Sequence, residues 1–298
     1  MYSQIDSNKR KTLLLITIFI AFILAIGYIL AEYMGYGYGM MVLAIIVSGG
    51  MTLVSYFKGD KIALASTGAK AIAKEDNPYV YRMVENLCIT AGVPTPKVYI
   101  IDSPAMNAFA TGRDPEHASI ALTTGIISAL ENEELEGVIA HELSHIKNYD
   151  IRLMTIVVVL VGTIALLSSW FFRARLFGIG GGRRSSSGKN GGQLGTIIMI
   201  IGIVLLILSP IIAEIIKLAI SRKREYLADA SGSLLTRYPE GLARALEKIS
   251  KSNTPLPNAS AATAHLFISN PLKGKGMGKL FSTHPPIEER IAKLRGMA

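Results

Sequence analysis

The stretch that decides the fold is His141-Glu142-Leu143-Ser144-His145, which has the pattern H-E-x-x-H and lies in a segment of helical character. An α-helix repeats every 3.6 residues, so His141 and His145 project from one face, about one turn apart. Two imidazoles at this separation can bind one zinc ion, and Glu142 can reach a water molecule on the same metal. The motif therefore predicts a metal-assisted hydrolase with Glu142 as general base. The alternative is a surface helix whose His and Glu side chains face solvent.

The residues around the motif place it outside a lipid bilayer. Asn132 is expected to cap the helix, and the glutamates that follow it favour the positive end of the helix dipole. Lys147 and Asp150 come just after the motif. Charged residues on both sides make the segment too polar for the bilayer interior, which argues against an intramembrane protease.

The composition is that of a membrane protein. Half of the 298 residues are hydrophobic and only 18% are charged. The net charge of +9 is compatible with nucleic acid binding, but the Lys and Arg residues flank apolar runs. Anionic lipid is therefore the expected partner, and we expect no nucleic acid. The single cysteine, Cys88, excludes an internal disulfide.

Four apolar runs predict four membrane-associated helices, at residues 13–31, 40–57, 153–172 and 194–213. Positive residues before the first run and after the second place both ends in the cytoplasm. The link 173–193 is rich in Gly and Arg. If the last two runs both cross the membrane, this link lies outside the cytoplasm, against the positive-inside tendency; if they form a shallow hairpin, it stays inside. In both cases the flanking polar segments end on one side.

The apolar runs divide the chain into four parts. Residues 1–58 hold the first two helices, 59–150 the first part of a catalytic domain, 151–217 the last two helices and 218–298 the second part. Three strands are predicted in the first part, at 98–101, 107–111 and 118–123, the last two joined by a turn. This pair is either a simple hairpin in a small sheet or places an edge strand beside an extended peptide.

A third metal ligand is predicted after the fourth run. Glu225 and Asp229 are four apart on a predicted helix, so their carboxylates share a face. Glu225 can complete a His/His/Glu zinc site, and Asp229 can accept a hydrogen bond from a ligand imidazole. A helical hairpin would bring this face to the His pair. The alternative is an acidic pair that balances the basic run 222–224 on a solvated face.

The motifs that carry a family resemblance are, in chain order, His141-Glu142-Leu143-Ser144-His145, Arg224-Glu225-Tyr226-Leu227-Ala228-Asp229 and Ser282-Thr283-His284-Pro285-Pro286 with Glu289 and Arg290. With the order of the apolar runs, they resemble the HtpX-type membrane zinc metalloproteases, which are related to the CAAX prenyl protease Ste24. The resemblance implies a gluzincin-like domain in which His141, His145 and Glu225 bind one zinc ion and Glu142 is the base. It also implies that Asn107-Ala108-Phe109 is a substrate-binding edge strand and that His284 donates to the oxyanion.

His284 also has an argument from its neighbours. A histidine held by a following Pro-Pro could donate to a developing oxyanion, because the prolines limit local freedom. The alternative is a loop histidine followed by an ordinary terminal helix that contains Arg290. His117 and His265 are expected to be structural.

The sequence therefore predicts an α+β membrane protein with four apolar helices and a mostly helical zinc protease domain that carries a small β-sheet. The family resemblance implies that its function is cleavage of misfolded or damaged membrane proteins under stress, and the charge pattern places this activity at the cytoplasmic face of the cell membrane. A non-enzymatic membrane adaptor or metal-binding protein is the alternative; it would keep the two histidines but has no need of Glu142.

Overall fold

The computed structural model describes residues 2–34, 37–176, 222–252, 254–260, 262–272 and 285–297. The helices in these ranges are α1 (Tyr2–Met34), α2 (Tyr38–Thr67), α3 (Pro78–Ala91), α4 (Thr124–Ala129), α5 (Asn132–Lys147), α6 (Asp150–Leu176), α7 (Arg222–Thr236), α8 (Pro239–Lys251) and α9 (Ile287–Arg295). The strands are β1 (Lys70–Ala71), β2 (Lys97–Ile101), β3 (Ala108–Gly112) and β4 (Ala118–Thr123). A small sheet in a mostly helical chain agrees with the predicted α+β class.

The four strands form one mixed sheet in the order β1-β2-β4-β3. β2 runs parallel to β4, whereas β1 pairs antiparallel with β2 and β3 antiparallel with β4. The three predicted strands are confirmed, and so is the hairpin, in which Ala108 pairs with Leu122 and Ala110 with Ile120. β3 forms one edge of the sheet.

Helix α5 carries the H-E-x-x-H motif through the middle of the polar domain. Its N-cap is Glu131, so the prediction that Asn132 caps the helix was wrong. Glu131 and Glu134 form a reciprocal capping box, in which the Glu131 backbone N–H donates to Glu134 Oε2 at 2.9 Å. The buried Glu134 carboxylate also binds Lys248 Nζ at 2.7 Å, which ties the start of α5 to α8.

The hydrophobic core of the domain lies around α5. Ile139 and Ile146 of this helix are buried in one cluster with Ile120 and Leu122 of the sheet and with apolar residues of α8. On another face α5 packs closely against α7, where Gly232 approaches the backbone of His141. All five residues of the motif are therefore buried.

Two helices are long and apolar enough to cross a membrane, over Ile5–Ile29 and Tyr38–Thr67, among the residues that the structure describes. Large apolar side chains on both are exposed, including Leu13, Leu14, Leu43 and Ile46. The sequence predicted four such helices. The third predicted run, 153–172, does form a helix, but the first part of α6 is buried against α1 and the domain. The fourth run, 194–213, lies outside the described residues.

Candidate metal centre

Three predicted ligands come together at one buried point. The Nε2 atoms of His141 and His145 lie 3.2 Å apart. Glu225, from α7, places Oε1 3.5 Å from His145 Nε2 and Oε2 3.9 Å from His141 Nε2. The three ligand atoms lie within 4.8 Å of one another. Tetrahedral zinc with bonds of about 2.0–2.1 Å separates its ligand atoms by roughly 3.3 Å, so this donor set fits a single zinc ion.

Each imidazole is oriented from behind by a buried carboxylate. His141 Nδ1 lies 2.9 Å from Asp229 Oδ1, which is the partner that the sequence predicted. His145 Nδ1 lies 2.9 Å from Asp150 Oδ2, a contact that was not predicted from the sequence. Contacts of this type fix the ring orientation and leave Nε2 for a metal. The available signal was an acidic residue just after the motif, at the first residue of the next helix.

Arg290 of α9 completes the layer behind the ligands. Its guanidinium donates to both oxygens of Asp229, through Nε at 2.8 Å and Nη2 at 2.7 Å. Nη1 lies 3.7 Å from Glu225 Oε2. Arg290 is 0% exposed, so it is part of the centre rather than of an ordinary terminal helix. Burial alone would raise the pKa of Asp229, but the Arg290 charge and the hydrogen bonds that the carboxylate accepts outweigh it and lower the pKa to about 2.

Glu142 lies in the same buried space as the ligands. Burial raises the pKa of Glu142 to about 7, against the opposing charges of His145 and Arg290. The backbone N–H of Ala110 donates to this carboxylate. Its Oε2 atom has no hydrogen-bond partner among the described residues. A buried carboxylate oxygen without a partner and a pKa near neutrality are what a general base requires.

The balance of charge at this point favours a cation. Burial alone would lower the pKa of His145, but the hydrogen bond with Asp150 and the charges of Glu225, Asp150 and Glu142 raise the pKa to about 9. For His141, burial prevails over Asp229 and the pKa is lowered. Carboxylates that attract a proton to the site this strongly also attract a metal cation, which would take the place of that proton.

The predicted edge strand runs along one side of the centre. Phe109 is fully buried and its ring packs against Phe267, with the centroids 5.0 Å apart. On the outer edge of β3, the Ala108 carbonyl accepts from Ile268 N at 3.0 Å. Asn107 Nδ2 donates to the Ser269 carbonyl at 2.9 Å. The segment 267–269 therefore lies along this edge, and the substrate-binding role of Asn107, Ala108 and Phe109 stays a prediction.

Two of the three remaining histidines, His117 and His265, lie in the described residues. His265 is buried and its Nε2 lies 3.0 Å from the Met154 carbonyl, which agrees with a structural role. His117 lies in a 3-10 turn at the surface, 2.7 Å from Asp114. His284, the predicted oxyanion donor, lies outside the described residues, whereas Pro285 lies inside them.

Comparison with known proteins gives one consistent result. The model of peptidase family M48 matches residues 74–298. A protease HtpX homolog of Caldanaerobacter subterraneus subsp. tengcongensis is 48% identical over 298 residues, covering 100% of this chain and 98% of that protein. One of Streptococcus uberis is 44% identical over 301 residues and covers 100% of both. Among solved structures, the crystal structure of S. mikatae Ste24p matches 99% of this chain and 67% of that one, with 24% identity and a TM-score of 0.48.

Proposed function

Because the chain belongs to peptidase family M48, as its sequence motifs indicated, we propose that this protease is a membrane-anchored zinc endopeptidase. The observation that carries the proposal is the buried set of His141, His145 and Glu225, whose ligand atoms lie within 4.8 Å of one another. Three protein ligands leave a fourth position for water or substrate, which is typical of catalytic zinc sites. Glu142 lies beside that set, and its Oε2 atom has no hydrogen-bond partner within the described ranges.

Each residue around the metal site has its own role in the proposed hydrolysis. A zinc ion held by the three ligands supplies Lewis acidity for a water molecule and for the scissile carbonyl. Glu142 accepts the proton of the attacking water and then passes it to the leaving amine. Asp229 keeps the His141 ring, and Asp150 the His145 ring, in the orientation that binds the metal. We propose His284, on the basis of the family resemblance, as a donor to the oxyanion.

The substrate is an extended polypeptide that pairs with β3. Strand addition uses the backbone groups of a sheet edge, and β3 forms one edge of the sheet, where the Ala110 N–H already donates to Glu142. The Ala108 carbonyl is occupied by Ile268, so pairing there requires the segment 267–269 to move aside. The family resemblance and the apolar helices favour misfolded or damaged membrane proteins as the source of this polypeptide.

The membrane arrangement follows from the polar ends of the helices. The start of α1 contacts the metal centre through Asn8, so the N-terminus and the catalytic site share one side of the membrane. Lys9, Arg10 and Lys11 before the first apolar run favour the cytoplasm for that side. We propose that the run 153–172 and the run 194–213, which lies outside the described residues, connect the two halves of the catalytic domain on one side of the membrane.

Metal analysis of the purified protein tests the proposal. Wild type is expected to hold one zinc ion per chain and to cleave an unfolded model protein, with both properties removed by a strong chelator. Glu225→Ala is expected to lose most of the zinc, because only two protein ligands are left. Glu133→Ala, an exposed acidic change on α5, is the matched control and should retain it. A zinc content unchanged in Glu225→Ala would reject the third ligand.

A further inference from the structure

Asn8 is a buried amide at the polar start of the N-terminal helix. It lies in α1 just before the apolar run and is 2% exposed, whereas the neighbouring Lys9 and Arg10 are exposed. Membrane anchoring does not require such a residue, because an interfacial polar side chain is well solvated by water. A fully buried amide instead indicates a specific hydrogen-bonding role.

The Asn8 amide bridges the elements that carry the metal ligands. Nδ2 donates to the Asn148 carbonyl at 3.0 Å, at the C-cap of α5, and to Asp150 Oδ1 at 2.7 Å. Oδ1 accepts from Arg224 Nη1 at 3.4 Å, at the start of α7. The end of the His145 helix, the carboxylate behind His145 and the residue before Glu225 therefore meet at one side chain.

Asp150 connects this amide to the ligand. One of its oxygens, Oδ1, is held by Asn8, and the other, Oδ2, lies 2.9 Å from His145 Nδ1. Arg224 Nε lies 3.6 Å from the same Oδ1 atom and partly neutralises the carboxylate. Because one oxygen is fixed from α1, the direction of the other, and with it the orientation of the His145 ring, depends on the position of α1.

Apolar packing sets the position of α1. Leu15, Phe19 and Ile23 are buried in one cluster with residues of α6, including Leu153, Val157 and Leu160. α6 begins at Asp150, so the seam between the two helices leads directly to the carboxylate behind His145. The packing of α1 against α6 therefore also affects the orientation of the His145 ring, through Asn8 and Asp150.

We propose that Asn8 is a positioning residue of the metal centre, through which the docking of the N-terminal membrane helix sets the affinity for zinc. The inference rests on the proposed zinc site and extends it to a residue in the membrane anchor. Residues that orient a metal ligand typically change metal affinity by about 10–100-fold when they are replaced. Asn8 acts one contact further out, so the low end of this range, about tenfold, is expected.

Two substitutions of similar volume test the role. Asn8→Asp keeps the shape but places an acceptor against Asp150, and Asn8→Leu removes all polar contacts. Thr12→Val is the matched control, because Thr12 is buried one turn further along α1 and its hydroxyl has no hydrogen-bond partner among the described residues. Zinc affinity is measured in detergent by competition with a chelating dye. We expect both Asn8 variants to bind zinc about tenfold more weakly, and Thr12→Val to stay within twofold of wild type.

A double-mutant cycle identifies the route of the effect. If Asn8 acts through Asp150, Asn8→Asp should cost much less affinity in an Asp150→Asn background than in wild type. Equal losses in both backgrounds, or folded Asn8 variants with wild-type affinity, would overturn the inference while leaving the zinc site intact. Wild-type protein that binds no zinc would instead refute the proposed function and this inference together.

Hydrogen exchange of the unsubstituted protein gives a second test that does not depend on a variant folding. Coupling is reciprocal, so zinc must strengthen the docking of α1 as much as docking strengthens zinc binding. Backbone amides at residues 5–12 are expected to exchange more slowly with zinc than with chelator, and those of residues 45–47, which are exposed on α2, to be unchanged. Equal exchange at 5–12 in both conditions would contradict the inference.

Discussion

Glu142 can be replaced by an uncharged group of the same shape, which separates its role from that of the ligands. Its pKa is raised to about 7 by burial, so at neutral pH the carboxylate can both accept and release a proton. Glu142→Gln cannot accept that proton, but it leaves His141, His145 and Glu225 in place. We expect zinc content to stay at the wild-type level and the cleavage rate to fall by a factor of about 10²–10⁴. Metal analysis and a peptide-cleavage assay on one preparation measure both quantities.

The contrasting outcome for Glu142→Gln is cleavage at the wild-type rate, which would remove Glu142 from the chemistry. It would also support the alternative that this site binds zinc through two histidines and a carboxylate and that Glu142 is not its catalytic base. Loss of zinc together with activity would show that the substitution disturbed the site and would call for the chelator control described above.

Arg290 allows a comparison between a buried and an exposed ion pair on the same helix. Its guanidinium is 0% exposed and binds Asp229, whereas Arg295, with a side chain that is 47% exposed, binds Glu240 and Glu247. Arg290→Met leaves a buried carboxylate without its cation and should lower the free energy of unfolding by about 3–5 kcal/mol. Arg295→Met should lower it much less, because its partners are solvated. Chemical denaturation of the two variants in detergent measures both; similar losses would contradict the central position of Arg290.

The approach of α7 to α5 is the contact between elements on which the metal site depends most. A Cβ atom built on Gly232 would lie 3.0 Å from His141 N and 3.2 Å from the Ala140 carbonyl carbon. We therefore expect Gly232→Ala to move α7 outward by a few tenths of an ångström and to shift Glu225 and Asp229 away from the histidines. We expect a zinc affinity lower by about tenfold, in the range found for displaced ligand supports. Gly162→Ala in α6 is the control, because a Cβ there meets no atom within 4 Å among the described residues.

The sequence predicted elements well where the signal was local. The spacing of His141 and His145 predicted the ligand face of the helix, and the short runs 107–111 and 118–123, joined by a turn, predicted the hairpin found at 108–112 and 118–123. The helix start was wrong by one residue, because the reciprocal bonds of Glu131 and Glu134 outweigh the capping preference of Asn132.

The contacts of Asp150, Arg290 and Asn8 were not predicted from the sequence, because each depends on a turn or on the packing of elements that are distant along the chain. Asp150 lies behind His145 only because the chain turns at Tyr149, which has a φ of 60°, before α6 begins. Arg290 reaches Asp229 across 61 residues and Asn8 reaches Asp150 across 142. No periodicity or motif encodes such pairs, and a single chain shows them only when it is folded.

At the scale of the whole molecule, hydropathy shows how long an apolar run is, but it does not show whether lipid or protein surrounds the helix. The runs in α1 and α2 leave Leu13, Leu43 and Ile46 exposed, as a lipid-facing surface requires. The run that begins at Leu153 is as apolar, yet its first residues are buried by α1 and the catalytic domain. A membrane span and a partly buried helix therefore look alike in sequence, which is why only two of the three predicted runs that lie in the described residues are candidate spans.

The side of the membrane that holds the catalytic domain can be tested with single cysteines. Cys88 is 1% exposed and burial raises the pKa of its thiol to about 11, so it is a poor nucleophile, and Cys88→Ala gives a clean background. The contact between Asn8 and Asp150 places the N-terminus beside the metal centre, and the basic residues near it favour the cytoplasm. Glu75→Cys in the domain should therefore react with a membrane-impermeant maleimide only after cells are permeabilised. Tyr38→Cys, at the turn between α1 and α2 and 91% exposed, should react in intact cells. Labelling of Glu75→Cys in intact cells would place the protease on the opposite face, with substrates drawn from outside the cytoplasm.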